Sequence, residues 1–185
     1  MNNKHKLFLV FSIFFITSCQ STTAYKNWAE QYEVPVGSKV TVNEPLTIPS
    51  RKVRAFLQDG TQTSQRRFTS GYDQYHPFCY FEVRNLVSHE QTIEPDTFTI
   101  TRASRETTRI VHVEEGTMTG LSSGNGGGLT HIIELNIMRL ESKSQPDVTR
   151  MVCASGFDEP SKVRLPTIDE INQALGKHAT LFIVR

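Results

Sequence analysis

From Ser38 to Arg185, apolar residues alternate with polar ones in short runs that end at proline, glycine or Asp-Gly turn signals. Val40 and Val42 alternate with polar neighbours in one run, and Leu57 closes a second run of the same kind. A period of two is typical of a strand with one buried face. Repetition of such runs predicts a mainly β domain, either an antiparallel sandwich or a partly open barrel.

The second half of the domain contains the longest candidate strands. Residues 96–104 and 107–116 are predicted to form a β pair joined around Ser104 to Glu106. Residues 130–142 are the longest candidate, and residues 148–157 can return against them to form a central hairpin.

One C-terminal helix is predicted over 167–175. Thr167 can cap it with Glu170 three residues later, while Ile171 and Leu175 lie on one face. Gly176 follows and ends the helix, and the residues after it predict a last strand.

The first 18 residues have the layout of a secretory signal. Residues 1–6 carry two lysines and no acid, and residues 7–16 are apolar apart from Ser12. This run is about half the roughly 20 residues that a membrane-spanning helix needs. The alternative is a buried helix, which an apolar surface all round and an extreme N-terminal position disfavour.

The signal ends in Ile16-Thr-Ser-Cys19, which closely resembles the lipobox of bacterial lipoprotein precursors. The resemblance covers residues 1–19, with Ile in the place where Leu is commonest and Thr-Ser in place of Ala or Gly. It implies cleavage before Cys19, a diacylglycerol on its sulfur and a fatty acyl group such as palmitate on its amino group. Gln20 stands where an Asp commonly retains such proteins at the inner membrane, so the resemblance favours the periplasmic face of the outer membrane. We therefore expect a signal peptide at 1–18, a lipidated tether at 19–37 and a periplasmic β domain at 38–185.

Assigning Cys19 to lipid leaves Cys79 and Cys153. In an oxidising compartment two remaining cysteines predict a disulfide. Each lies in a strand-like run with an apolar residue two positions away, so both thiols are expected to point inward. The alternative is a pair of separately buried free thiols. Neither cysteine has the close Cys or His spacing of a zinc site.

Charge is nearly balanced, with 20 Lys plus Arg against 19 Asp plus Glu. Such a balance gives no electrostatic reason to expect a nucleic-acid partner. We expect no metal and no cofactor either, because no motif for one is present.

The sequence contains no complete catalytic constellation. The Gly-rich run at 122–129 lacks the Lys and Ser/Thr of a phosphate-binding P-loop and predicts a hairpin tip, with Asn125 as a candidate contact residue. Ser155 lies outside a G-x-S-x-G elbow. An enzyme acting on peptidoglycan or lipid would have to use scattered groups such as His112, His131 and Glu134.

Tyr72 and Tyr75 lie just before a predicted strand, close in sequence to Arg66 and Arg67. Tyr and Arg are enriched at interfaces, so these four residues form a candidate partner-binding patch. Aromatic residues entering a central strand are also common in protein cores, which is the alternative.

The runs at 53–60 and 73–83, with 165–176, resemble those of a family of small proteobacterial lipoproteins of unassigned function. That resemblance implies no activity and no catalytic residues. The leading hypothesis is a non-enzymatic outer-membrane lipoprotein whose domain binds or supports an assembly machine, an outer-membrane protein or peptidoglycan. An envelope enzyme and a small-ligand carrier with an internal cavity are the alternatives.

Overall fold

The short runs of alternating residues form strands, as the computed structural model of residues 34–63, 71–111 and 130–184 describes. This part of the chain contains ten strands and one helix. Their bounds are β1 Lys39–Val42, β2 Leu46–Ile48, β3 Arg54–Gln58, β4 Thr61–Thr63, β5 Phe78–Val83, β6 Gln91–Ile93, β7 Asp96–Val111, β8 Thr130–Glu141, β9 Val148–Ala154, α1 Ile168–Leu175 and β10 Ala179–Phe182.

Eight of the described strands form one antiparallel sheet in the order β10-β1-β7-β8-β9-β5-β3-β4, and β2 pairs with β6 separately. The large sheet curls into a partly open barrel, with the helix near the C-terminus. This confirms the predicted fold class. The predicted central hairpin is also confirmed, because β8 and β9 are adjacent in the middle of the sheet.

One face of the sheet, here called the core face, carries the main hydrophobic core. Alternate residues of the strands point to it and are almost fully buried, including Val40, Leu57, Phe81, Phe98 and Met151. Helix α1 and the β2-β6 pair contribute further buried residues to the same core: Leu46, Ile48, Ile93, Ile171, Ala174 and Leu175. Burying a large apolar side chain contributes about 1.5–3 kcal/mol, so this core is the main source of stability.

Helix α1 begins at a capping box. Thr167 Oγ1 accepts a hydrogen bond from the backbone N–H of Glu170, whose carboxylate accepts one from the backbone N–H of Thr167. The helix ends at Gly176, which has a φ of 53°. A Cβ built on Gly176 would lie 2.2 Å from the Cα of Gly60 in the β3-β4 turn. Two glycines therefore let the helix end pack directly on this turn.

The prediction of a β pair joined around Ser104 to Glu106 is wrong. Residues 96–111 form one continuous strand, β7, and β8 pairs with it from Thr99 to Val111. The physical reason lies in exposure: Ser104, Arg105 and Glu106 are exposed although they lie in a strand. Their polarity reflects contact with solvent and does not mark a turn.

Packing of the domain reaches back before Ser38. Val34 is 1% exposed and belongs to the main core, and the Gly37 backbone N–H donates to the carbonyl of Ile100 at 2.8 Å. The last residues of the segment expected to be a tether thus contribute to the folded domain.

Candidate functional site

Cys79 and Cys153 are joined by a disulfide, which confirms the predicted pairing. They lie directly opposite each other on β5 and β9, and both are fully buried on the core face. The bond fixes the register of these two central strands. All the β5-β9 pairs from Phe78–Ala154 to Glu82–Arg150 keep the same register as the two cysteines, and the register shifts between Glu82 and Val83.

A row of charged residues crosses the opposite face of the sheet, here called the aromatic face. On β5 and β9 the row lies three residues from the cysteines in sequence. Across five neighbouring strands, the directly paired residues are Arg102 on β7, Arg139 on β8, Arg150 on β9, Glu82 on β5 and Arg54 on β3. Residues directly opposite in an antiparallel sheet share a face, with Cβ atoms about 4.5–5.5 Å apart. These five residues are called the arginine row.

Glu82 forms ion pairs with the two arginines on either side of it. Arg54 Nε donates to Oε2 of Glu82 at 2.7 Å, and Arg150 Nε and Nη2 lie 2.9 and 2.7 Å from Oε1. Burial would by itself lower the pKa of Arg54, but the hydrogen bond and charge of Glu82 raise that pKa above its ordinary value. Glu82 is thus fully engaged by its neighbours.

Arg102 and Arg139 differ from the rest of the row. Both are exposed, and neither forms an ion pair with a carboxylate in the described ranges. They stand opposite each other, and Arg139 also stands opposite Arg150. Like charges at directly opposite positions destabilise a sheet, so three adjacent arginines are a costly arrangement.

A half-open groove of about 560 Å³ lies over this row. Its lining includes Arg84, Arg102, Arg139 and Arg150, together with Ser104, Ile137 and Thr149. Glu82 is the one acid among the described residues that line it. Four guanidinium groups against one carboxylate give the groove a net charge of +3 in a chain whose total is +1. The structure therefore concentrates positive charge that the composition alone conceals.

An aromatic cluster borders the arginine row on the same face. The ring of Phe56 stacks on Tyr72 with centroids 4.8 Å apart and also contacts Tyr80 at 5.0 Å. The ring centroids of Phe78 and Tyr72 are 4.4 Å apart. The guanidinium of Arg54 sits over the Tyr80 ring, 4.7 Å from its centroid, and links the cluster to the row. Burial raises the pKa of Tyr80 above its ordinary value.

The structure separates the two tyrosines of the predicted patch. Tyr72 is half-buried within the aromatic cluster, whereas Tyr75 is 50% exposed and meets Phe157 edge-on. Gln58 holds the intervening turn on the sheet, because its amide exchanges two hydrogen bonds with the backbone of Asp73. Tyr72 therefore packs within the domain, and Tyr75 presents part of its ring to solvent.

Four of the predicted site residues lie outside the described residues: Cys19, Arg66, Arg67 and Asn125. The same holds for His112 and for the side chain of His131.

Glu134 is described and is 5% exposed. It forms an ion pair with Arg105, while its Oε2 has no hydrogen-bond partner among the described residues. In the described ranges, no group of three His, Cys, Asp or Glu side chains is placed to hold a metal ion.

Ser155, the other residue considered for catalysis, donates a hydrogen bond from Oγ to the carbonyl of Arg164 at 2.5 Å. It connects β9 to the segment before α1. This contact supports a structural role for the hydroxyl.

Known proteins provide no further guide to this site. The chain matches no family model, no curated protein and no solved structure. In the ranges 34–63, 71–111 and 130–184, no helix is long and apolar enough to cross a membrane. Any assignment of function therefore rests on the residues themselves.

Proposed function

We propose that the chain is a non-enzymatic lipoprotein of the outer membrane, anchored through Cys19, whose β domain faces the periplasm and binds or supports an envelope partner. The sequence Ile16-Thr-Ser-Cys19 supports the anchor, because it has the branched residue, two small residues and cysteine of a lipobox. Several acyl chains give firm attachment, since each buried methylene contributes about 0.8 kcal/mol.

The observation that carries the location is the disulfide. Cys79 and Cys153 are bonded across two central strands, and disulfides persist in oxidising compartments such as the periplasm. A chain made for export would have this bond as a permanent part of its core. Together with the N-terminal signal, it favours the periplasm over the cytoplasm.

The observation that favours binding is the groove over the arginine row. Arg102 and Arg139 lie on central strands of the sheet, are exposed, and form no ion pair with a carboxylate in the described structure. Residues kept at a cost to stability are commonly functional. The candidate partners are an envelope assembly machine, an outer-membrane protein or peptidoglycan.

Crosslinking in intact cells followed by affinity purification tests this proposal. We expect wild-type protein to fractionate with the outer membrane and to recover an envelope protein or wall fragment. The Cys19→Ala variant should lose the lipid and leave the membrane fraction. Unchanged fractionation of Cys19→Ala would refute the anchor, and failure to recover any envelope component would count against the binding role.

A second candidate is an envelope enzyme acting on peptidoglycan or lipid. It is favoured by one observation, the buried Oε2 of Glu134 that lacks a hydrogen-bond partner in the described structure. Glu134→Gln separates the two: it would abolish hydrolysis of isolated wall or lipid by an enzyme, and it would leave partner recovery by a binding protein intact.

A further inference from the structure

We propose that the arginine row binds a phosphate group that carries about two or more negative charges, either a phosphate monoester or a pyrophosphate. This inference rests on the proposed binding role and names the ligand chemistry of that site. It does not depend on the anchor, since the groove is built entirely by the β domain.

The groove carries more positive than negative charge. Glu82 is the ion-pair partner of both Arg54 and Arg150, and Arg84, Arg102 and Arg139 form no ion pair with a carboxylate among the described residues. The four arginines and one glutamate that line the groove therefore have a net charge of +3. A single carboxylate supplies one negative charge and two oxygens. A phosphate monoester carries about −1.5 to −2 at pH 7 and three acceptor oxygens, so it matches the groove better.

The spacing of the arginines also suits a phosphate. Arg102, Arg139 and Arg150 project from directly opposite positions on three adjacent strands. Their Cβ atoms are therefore spaced by about 5 Å, and the planar guanidinium fork suits bidentate contact with phosphate oxygens. The hydroxyl of Ser104 lines the same groove and can donate a further hydrogen bond.

An apolar surface lies next to the arginine row. Ile137 lines the groove, and Leu135 on the same strand is half-buried beside the aromatic cluster. A phosphate on a lipid headgroup would place its acyl chains over these residues. A free phosphate would use the charged row alone. The two sources share the same recognition chemistry and are separated by the experiment below.

Binding is measured by titration calorimetry on the full chain purified in a nonionic detergent. The probes are pyrophosphate, short-chain phosphatidic acid, short-chain phosphatidylcholine and a hexaglutamate peptide, all at one ionic strength. The Arg102→Gln/Arg139→Gln variant removes two exposed charges. Lys162→Gln is the charge control. Lys162 forms an ion pair with Glu159, the residue after Asp158, and Asp158 pairs with Ile132 on β8. Ile132 is seven residues along β8 from Arg139, which places the two residues roughly 23 Å apart.

We expect the double arginine variant to bind pyrophosphate at least tenfold more weakly than the wild type, with Lys162→Gln within twofold. Phosphatidic acid bound at least tenfold more tightly than pyrophosphate identifies a lipid headgroup, and similar affinities identify a water-soluble phosphate. Both outcomes support the phosphate site.

Three results would overturn it: no phosphate binding, phosphate binding that the arginine substitutions leave unchanged, or tighter binding of hexaglutamate, which would point to an acidic protein segment. A chain that binds phosphate but does not fractionate with the membrane would refute only the proposed lipid anchor. A membrane-bound chain that binds no phosphate would refute only the proposed phosphate site.

Discussion

Arg102 and Arg139 stand directly opposite each other on β7 and β8, with their side chains on the same face of the sheet. Arg139 meets a third arginine, Arg150, on its other side. Directly opposite like charges weaken a sheet by about 0.2–1 kcal/mol per pair. The central strands therefore hold a charge arrangement that folding alone does not favour.

Neutralising the middle arginine should make the protein more stable. We expect Arg139→Gln to raise the free energy of unfolding by about 0.5 kcal/mol in phosphate-free buffer of low ionic strength, because two like-charge pairs are removed. Urea denaturation measures this. The gain should disappear in about 1 M salt, where charges are screened beyond about 3 Å. Lys162→Gln should show no gain, and a loss of stability in Arg139→Gln would contradict the account.

Reduction of the disulfide should destabilise the domain strongly. Cys79 and Cys153 are 74 residues apart in sequence, and closing a loop of that length stabilises the folded state by about 4 kcal/mol on the chain-entropy model. Urea denaturation with and without reductant measures the difference. The Cys79→Ala/Cys153→Ala variant is the control and should not respond to reductant. Mass mapping of unreduced protein should find the two cysteines joined, and two alkylatable thiols would refute the bond.

Stability should fall in acid because of Glu170. Hydrogen bonds from Arg164, together with those from Thr167, outweigh partial burial and lower the pKa of Glu170 from 4.5 to about 2. A folded-state pKa below the unfolded value contributes stability that is complete above about pH 4.5 and is lost as the pH falls through 2.

The matched variant is Glu170→Gln, which should cost about 1 kcal/mol at pH 7 through loss of the capping-box carboxylate. Its difference from the wild type should shrink towards pH 2 in denaturation curves taken across pH. Asp169→Asn, at an exposed position of the same turn, serves as the control. A pH-independent difference for Glu170→Gln would show that the charge is not responsible.

Gly176 should tolerate no side chain. An added Cβ would lie 2.2 Å from the Cα of Gly60, and its φ of 53° is unfavourable for other residues. We expect Gly176→Ala to lower the free energy of unfolding by about 2–4 kcal/mol. Gly37→Ala is the control, since Gly37 also has a positive φ of 93° but its Cβ would meet only a side-chain atom at 3.7 Å. Equal losses would show that the contact with Gly60 is unimportant.

The strands, the helix and the disulfide were predictable because each depends on local pattern or on cysteine count. The capping box of Thr167 and Glu170 is an example, since its residues are three apart in sequence. The continuity of β7 was not predictable in the same way. Polar residues such as Ser104 and Glu106 are typical both of a turn and of a strand exposed to solvent, and sequence pattern does not distinguish the two.

The arginine row was missed because it depends on register between strands. A signal for part of it was present: Glu82 follows Cys79 by three residues and Arg150 precedes Cys153 by three, so an antiparallel disulfide-bonded pair places them opposite each other. The β8-β9 hairpin similarly aligns Arg139 with Arg150. Arg102 could not be added in this way. The wrongly predicted turn at 104–106 paired residues 96–104 with 107–116, whereas in the structure Arg102 pairs with Arg139 on β8.

Site-specific crosslinking from the groove tests the central claim, that the arginine row is the surface by which this protein contacts its proposed partner. A photo-reactive amino acid replaces exposed Ser104, which lines the groove, and in a separate variant replaces exposed Lys162, which lies between β9 and α1 and does not line the groove. After illumination of intact cells that naturally express the protein, we expect a discrete adduct from position 104, absent from position 162 and lost when Arg102→Gln and Arg139→Gln are added. No adduct from position 104, or an adduct that survives loss of both arginines, would contradict the claim that this row contacts an envelope partner.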